Sequence, residues 1–560
     1  MRKTFMSSLI VTLLLSVGQL ALAQGNPQPI AIVSISGVQN VLKDVGTLAN
    51  IAGMGNEALA VTVMGSSATE AMGIDTKKPI GAVVYLSEAG PTGYAFIPVT
   101  NIQKLLDFAK GQHMPINDDG NGNYSVTGPA GNSVALKLNG GWLFAGKSAE
   151  DLANVPADPV PMLAGLEKQY TIALRENMQA IPDDFRKMMA EQFVSGVSTA
   201  MRNTPDDNPV LMVLKPIIEA QLKQFPKILD ETDQTTIGWG VDAAGKKTFI
   251  DFNGVAVAGT NLAKKYADAA NVTSGFTGFL DAKAAGNLHF SAKMTAEDIE
   301  SMQESVSILR ERANKGIDNS NDIPEGEGKK MVKEIVGQFF DVAKDTVASG
   351  YLNDGAMLNL NDKDLSFVAG GFVADGPKLE GAIKKLVELA KNEPDFPGVT
   401  FNAESHQGVT FHTTSLPVKE PGGQMVFGPK MDVVIGIGPK AAYVSLGKNP
   451  SQALKNAIDK STSGAAQKVP PAQFAVSVGQ LVNFGLQFAP DPTAQAVAAE
   501  ISKAGDKDHV RSETKASSNG GTTRIELEEG VIRAIGAGVK AQALRQMGGP
   551  PGAGGIPQPR

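Results

Sequence analysis

Short apolar runs bounded by Gly or Pro recur along the chain and predict strands. Ile30–Ser36, Gly81–Leu86 and Tyr94–Val99 are the first three. Ser133–Leu138 and Trp142–Ala145 flank Asn139-Gly140-Gly141, a sequence that tolerates the positive φ angles of a tight turn, so the two runs pair as an antiparallel hairpin. Between such runs the apolar spacing changes from two to three or four, the signature of helices. Thr295-Ala-Glu-Asp298 reads as a capping box and opens a helix with Ile299, Met302, Val306, Leu309 and Ala313 on one face. Val332, Ile335, Phe339 and Ala343 line a second helix, and Leu379, Ile383, Leu386 and Ala390 a third. Asn314–Lys330 is polar and glycine-rich and reads as a surface loop between two helices. Pro182-Asp183-Asp184 suits a helix start, with Phe185, Met189 and Phe193 next at helical spacing; Pro216 and Pro226 are expected to break or kink the helical stretch beyond it.

Several of these patterns occur twice, in the same order. Trp142–Ser148 resembles Tyr443–Asn449, Gln169–Leu174 resembles Gln473–Val478, Ile250–Phe252 resembles Ile525–Leu527, and Tyr94–Lys110 resembles Phe367–Lys391. The expected organisation is α+β: two tandem, duplicated halves, each a mostly antiparallel sheet with helices packed on one face. The boundaries are residues 1–23 for a signal peptide, 24–270 for the first repeat, 271–545 for the second and 546–560 for a Gly/Pro-rich tail expected to be disordered. The repeats meet near 268–275. The Pro182–Asp230 helical region is expected to be the main excess of the first half, and the Thr295–Ser349 helical pair that of the second.

Composition narrows the function classes. The 560 residues carry 51 basic and 58 acidic side chains, a net charge of −7, which argues against a nucleic-acid partner. The chain contains no cysteine, so disulfides, thiolate metal sites and a cysteine nucleophile are excluded. Arg2 and Lys3, the apolar Leu9–Val17 and Ala21-Leu22-Ala23 form a secretory signal with cleavage near Gln24. The expected location is therefore periplasmic or extracellular, with no transmembrane segment after cleavage. Signal peptide, strand-and-helix passages (Tyr94–Phe108, Trp142–Leu152, Thr171–Pro182) and Gly/Pro tail together resemble exported proteins of planctomycete-like bacteria. That family has no established activity, so the resemblance implies only an envelope or secreted setting.

Motifs with possible chemistry favour their structural readings. Gly141–Ser148 fits G-x-x-x-x-G-K-[ST], but Trp, Leu, Phe and Ala fill the variable positions and form a strand, with Ser148 as the cap of a helix after it. Glu404, His406 and His412 share strand parity and could converge on a metal, although Gln407-Gly408 suggests a turn between them. Asn117–Asn123 carries oxygen ligands yet lacks EF-hand spacing and reads as a hairpin turn. Ser445-x-x-Lys448 and Ser512-x-x-Lys515 lie in strand-like segments, not at a helix start. His113, His289 and His509 read as isolated surface or satisfied residues. No catalytic, cofactor or metal residue is assigned, and no cofactor is expected. The leading reading is a non-enzymatic envelope or secreted protein offering a binding surface to an unknown envelope protein or ligand. The alternatives are a secreted hydrolase with a dispersed acidic or histidine-containing site, and a periplasmic ligand-binding protein.

Overall fold

The computed structural model describes residues 28–87, 90–112, 114–127, 133–202, 209–361, 364–391, 393, 396–464 and 468–546. The signal segment, the tail beyond Gln546 and His113 lie outside them. The chain is built of helices and antiparallel strands, an α+β protein. The chain divides into two compact units. Unit 1 comprises Met1–Arg186, Thr232–Val255 and Arg524–Pro550; unit 2 comprises Lys187–Glu231, Ala256–Thr523 and Pro551–Arg560.

Unit 1 contains β1 (Ala31–Ile35), β2 (Ile80–Ser87), β3 (Gly90–Pro98), β4 (Ile116–Gly120), β5 (Asn123–Thr127), β6 (Ser133–Asn139), β7 (Trp142–Gly146), β8 (Ile172–Asn177), β9 (Thr232–Asp242) and β10 (Lys247–Ala256). Its spatial order is β4-β5-β6-β7-β3-β2-β1-β8-β9-β10. The β6–β7 hairpin forms as the sequence predicts: Asn139 pairs with Trp142, and the two turn residues Gly140 (φ 58) and Gly141 (φ 82) both take the left-handed conformation such a turn requires.

Both faces of this sheet are covered, not one. Tyr94, Ala95, Phe96 and Ile97 of β3 are all buried although alternate side chains point to opposite sides. On one side Phe96, Phe144, Trp142 and Val83 pack with Leu152, Val155, Leu163 and Leu166 from the segment after β7. On the other, Ile80, Ile97, Leu136 and Leu143 pack with Val38 and with Ile102 and Leu105 of the helix Ile102–Gly111. A strand covered on both sides loses water from every side chain, so apolar residues without alternation are what such a strand requires.

Unit 2 contains β11 (Gly286–Lys293), β12 (Tyr351–Asn361), β13 (Asp364–Phe372), β14 (Thr400–His406), β15 (Val409–Pro417), β16 (Lys430–Gly438), β17 (Ala441–Gly447), β18 (Ala472–Ser477), β19 (His509–Ala516) and the start of β20 (Gly520–Leu527). The order is β14-β15-β16-β17-β13-β12-β11-β18-β19-β20. Its core gathers Phe276, Phe279, Val368, Phe411, Val434, Leu454 and Ile458. The capping box at Thr295 is present: the Asp298 N–H donates to Thr295 Oγ1 at 3.3 Å, and the Thr295 N–H donates to Asp298 Oδ2 at 3.0 Å.

Adding ten to each strand number of unit 1 reproduces the strand order of unit 2. The register agrees as well. With Gly146 set against Gly447, each closing its strand, the rung Phe144, Phe96, Gly81, Ser34, Ala173 corresponds to Ser445, Val368, Met357, Asn287, Ala475. Tyr170, expected opposite Phe474, is displaced by two residues; Ile172 occupies the place of Phe474.

Three sequence expectations change. Of the break or kink expected at Pro216 and Pro226, a break does not occur: one helix runs from Pro209 to Glu231 through both, because a proline removes one main-chain hydrogen bond but does not oblige a helix of this length to end. The polar stretch from Asn314 is helical as far as Asn319, and the next helix starts at Glu327, leaving a shorter connection. The helical pair Ala296–Asn319 and Glu327–Ala348 is also no peculiarity of the second half, since Val38–Ile51 and Gly55–Ala71 occupy the same place between β1 and β2. Glycines and small residues blur the apolar spacing of the second helix of that first pair, Gly55–Ala71. The helices between β8 and β9 likewise have shorter counterparts between β18 and β19, Val478–Leu486 and Pro492–Ser502.

Trp142, buried with its ring edge-on to Phe96 at 5.7 Å, should be costly to remove. Trp142→Ala is expected to lower unfolding free energy by about 3–5 kcal/mol in chemical denaturation; a change under about 1 kcal/mol would show that the core does not depend on it.

Candidate functional site

The phosphate-loop look-alike is structural. Trp142–Gly146 is a fully buried strand, so its backbone N–H groups are not free to wrap an anion. Ser148 and Asp151 bond reciprocally, the Ser148 N–H to Asp151 Oδ2 at 3.0 Å and the Asp151 N–H to Ser148 Oγ at 3.4 Å. Turns come next where the sequence suggests a helix, whereas the second copy does continue into a helix, Pro450–Gly464.

His406 and His412 do not converge. Gln407 and Gly408 form a two-residue turn with φ of 48 and 78, which pairs His406 with Val409 and Glu404 with Phe411. Such a turn reverses parity across the hairpin, so His412 points to the opposite face. His406 Nε2 lies 2.7 Å from Asp459 Oδ1, and Glu404 pairs with Lys455. His412 is buried: its Nδ1 accepts from the Asn402 N–H at 3.1 Å, its Nε2 lies 3.5 Å from Glu380 Oε1, and Phe401 packs against the ring. Burial pushes its pKa below the usual histidine value, partly opposed by Glu380. Asn117–Asn123 is the β4–β5 hairpin turn, with the Asp118 carboxylate accepting from the Gly120 N–H at 3.0 Å. Ser445 and Ser512 both lie within strands. Among the described residues no group of three or more His, Asp or Glu side chains is placed to hold a metal ion.

Two polar clusters have no local signature in the sequence. In unit 1, Asp251 of β10 is buried and accepts two hydrogen bonds from Arg524, Nε to Oδ1 at 2.7 Å and Nη2 to Oδ2 at 2.8 Å. The Tyr170 hydroxyl donates to Asp251 Oδ2 at 3.2 Å and accepts from Asn253 Nδ2 at 3.0 Å. The guanidinium lies 4.0 Å above the Phe249 ring. Glycine admits these rings: a Cβ on Gly238 would fall 2.4 Å from Tyr170, and one on Gly240 2.7 Å from Phe249. The Gly-Trp-Gly spelling of β9 is the one hint of such close packing. Every oxygen of Asp251 already has a partner, so the cluster ties β10 to the Arg524–Leu527 end of β20 and offers no free base.

In unit 2, Asp508 is buried and accepts from Ser477 Oγ at 2.6 Å and from the Gly479 N–H at 2.9 Å; His509 Nδ1 stands 3.1 Å from its other oxygen. These are serine, aspartate and histidine, but Ser477 Oγ also accepts from the Gln480 N–H at 3.1 Å as the cap of the helix Val478–Leu486. The hydroxyl donates to the carboxylate and not to the imidazole, which is capping geometry and not nucleophile activation.

A pocket of about 240 Å³, open solvent included, lies in unit 2 beside Lys227, Glu231, Lys265 and Glu297. Its charges are engaged: Lys227 with Glu297, Lys265 with Asp298 at 2.7 Å, and Glu231 with the Leu262 N–H at 2.7 Å. Large apolar side chains are also exposed on the sheets. Leu288 and Phe290 of β11 and Phe474 of β18 are between 39% and 50% exposed on one sheet face, Leu288 directly across from Phe474. In unit 1, Ile172 of β8, Ile237 of β9, and Ile250 and Phe252 of β10 are likewise exposed. Among the described residues no helix is long and apolar enough to cross a membrane. No family model, curated protein or solved structure matches the chain.

The buried polar groups make stability sensitive to pH and to single substitutions. His289 is fully buried on β11, neither ring nitrogen has a hydrogen-bond partner among the described residues, and desolvation pushes its pKa down to about 4. Its unfolded-state value near 6.5 is higher, so the unfolded chain takes up the proton first and stability falls as pH drops from about 6.5 toward 4, by up to about 3 kcal/mol. His289→Leu should flatten the stability-versus-pH curve in that window; an unchanged curve would place the titration elsewhere. Arg524→Ala strands the Asp251 carboxylate and should cost about 2 kcal/mol, less than for a fully buried pair because the Arg524 side chain is 45% exposed. The Asp251→Ala/Arg524→Ala double variant should lie closer to wild type than additivity requires, as read from a double-mutant cycle.

Proposed function

We propose that this chain is an exported, non-enzymatic binding protein of the bacterial envelope or its surroundings, and that its exposed apolar sheet face is the surface a partner occupies. The observation carrying this reading is the Leu288–Phe290–Phe474 group. Burying one such side chain gains roughly 1.5–3 kcal/mol, and contiguous exposed apolar groups on a sheet are characteristic of contact surfaces. The hydrolase alternative has lost its histidine pair, because His406 and His412 face opposite sides of their hairpin.

The two halves of the sequence, 24–270 and 271–545, are read as copies of one ancestral repeat, meeting near residues 268–275; the compact units exchange segments across that boundary, 187–231 lying in unit 2 and 524–550 in unit 1. Matching strand order, matching register and paired helices inserted at the same two places support this reading. The apolar exposure supports it too, since Ile172 and Phe474 occupy corresponding positions and both are exposed.

The test is capture of a partner from envelope extract by the immobilised protein. Wild type should retain a saturable partner, and Leu288→Asp/Phe474→Asp should lose it while melting at the same temperature. Retention of the same partner by the folded double variant would remove the sheet face from the proposal.

A further inference from the structure

The open sheet face of unit 2 holds a single charge. Leu288 of β11 lies directly across from Phe474 of β18, and two residues further along β11, Phe290 lies directly across from Asp354 of β12. All four side chains are exposed, so the strand register itself puts three large apolar groups and one carboxylate on one accessible surface. Ladder pairing carries the same face across β16, β17, β13, β12, β11 and β18. Every paired position on it is apolar or glycine except Asp354.

On its other side Asp354 faces Gly371 of β13, and the carboxylate leans into the space a side chain would fill: a Cβ on Gly371 would collide with Asp354 Oδ1. Asp354 has no hydrogen-bond or ion-pair partner among the described residues. Its surroundings push its pKa up to about 6 by desolvation, with no contribution from a neighbouring charge. The β11 and β13 positions beside it on this face are uncharged, His289 points to the opposite side, and the helix Val478–Leu486, which packs on β12, has no charged residue. The helix Glu327–Ala348 also packs on β12 and is charged, but none of its charges shifts Asp354.

A carboxylate is well solvated while water reaches it. A partner that covers Phe290 expels that water, and a charge left unpaired under an interface is strongly unfavourable. The face therefore discriminates against a wholly apolar partner and favours one that brings a cation. We propose that it recognises a polypeptide segment in which a lysine or arginine accompanies large apolar side chains, the basic group pairing with Asp354 and the apolar groups covering Leu288, Phe290 and Phe474. The two rungs are about 7 Å apart along β11, so the basic and apolar residues stand at i and i+2 of a strand or one turn apart on a helix. This inference rests on the sheet-face reading above and names the chemistry of the partner.

The test is selection of a displayed library of random dodecapeptides on the immobilised full-length protein at about pH 7.5. Peptides retained by wild type should be enriched about fivefold in Lys or Arg, at a fixed spacing from Phe, Leu or Trp. Asp354→Asn should remove that enrichment and Asp354→Lys should reverse it in favour of Asp and Glu, both with an unchanged thermal unfolding transition. A selected basic peptide free of Asp, Glu and His should bind wild type about tenfold more weakly at pH 5, because a carboxyl with a pKa of about 6 is ionised in only about one molecule in ten there. Its affinity for Asp354→Asn should not follow that change. Retention of apolar peptides without basic residues, lost in the charge-neutral Leu288→Asn/Phe474→Asn, overturns the cation and leaves the sheet face standing. Peptides retained equally by wild type and Leu288→Asn/Phe474→Asn, or none retained at all, overturn the sheet-face reading and this inference with it. If Asp354→Lys does not fold, Asp354→Asn decides alone.

Discussion

The central strands of unit 1 cannot face water on either side, and much of its architecture answers that constraint. Phe96 and Phe144 point to one face of the sheet, Ala95, Ile97 and Leu143 to the other, and all are buried. A two-layer arrangement would leave one set wet. The connection after β7 therefore returns across one face with Leu152, Val155, Leu163 and Leu166, while the segments after β1 and β3 cover the other. Unit 2 meets the same demand at Val433 and Val434, adjacent in β16 and both buried. Cover is concentrated over these middle strands. Toward β8 and β9 in unit 1, and toward β11 and β18 in unit 2, it thins, and there large apolar groups reach solvent.

What the sequence discloses depends on the range of the interaction. The Gly140-Gly141 turn, the Thr295 capping box and the apolar stripes of the later helices are set by residues within a few positions of each other, and all are legible. Paired coverage is not. A run such as Tyr94–Ile97 reads the same whether one or two layers cover it until the partner layers are known. Of the helical hairpin Val38–Ala71, the first helix carries a stripe at Val38, Val41, Leu42 and Val45, whereas the second is hidden because its packed side uses Gly65 and Thr69.

The polar sites are least legible, for a geometric reason. Parity along one strand predicts that Glu404, His406 and His412 share a face, but the two-residue turn at Gln407-Gly408 inverts parity between its arms. Asp251 and Arg524 are separated by most of the second half, and nothing local announces either. His289 sits mid-strand between Leu288 and Phe290, where its burial reflects which face of β11 is covered and not its own polarity.

Corresponding positions in the two units separate scaffold from use. Arg175 and Thr236 face each other across β8 and β9, bonded Nε to Oγ1 at 3.1 Å; the same pair of positions in unit 2 holds Ser477 and His509. A polar pair at the edge of a core needs only to satisfy its own hydrogen bonds, so one satisfied pair can replace another with little effect on the strands around it. An exposed Ile or Phe is under no such local demand. It contributes little to folding and raises the risk of non-specific association. Its presence at Ile172 and again at Phe474, at corresponding positions of the two units, is not required by local packing and is the feature on which the proposed partner surface rests.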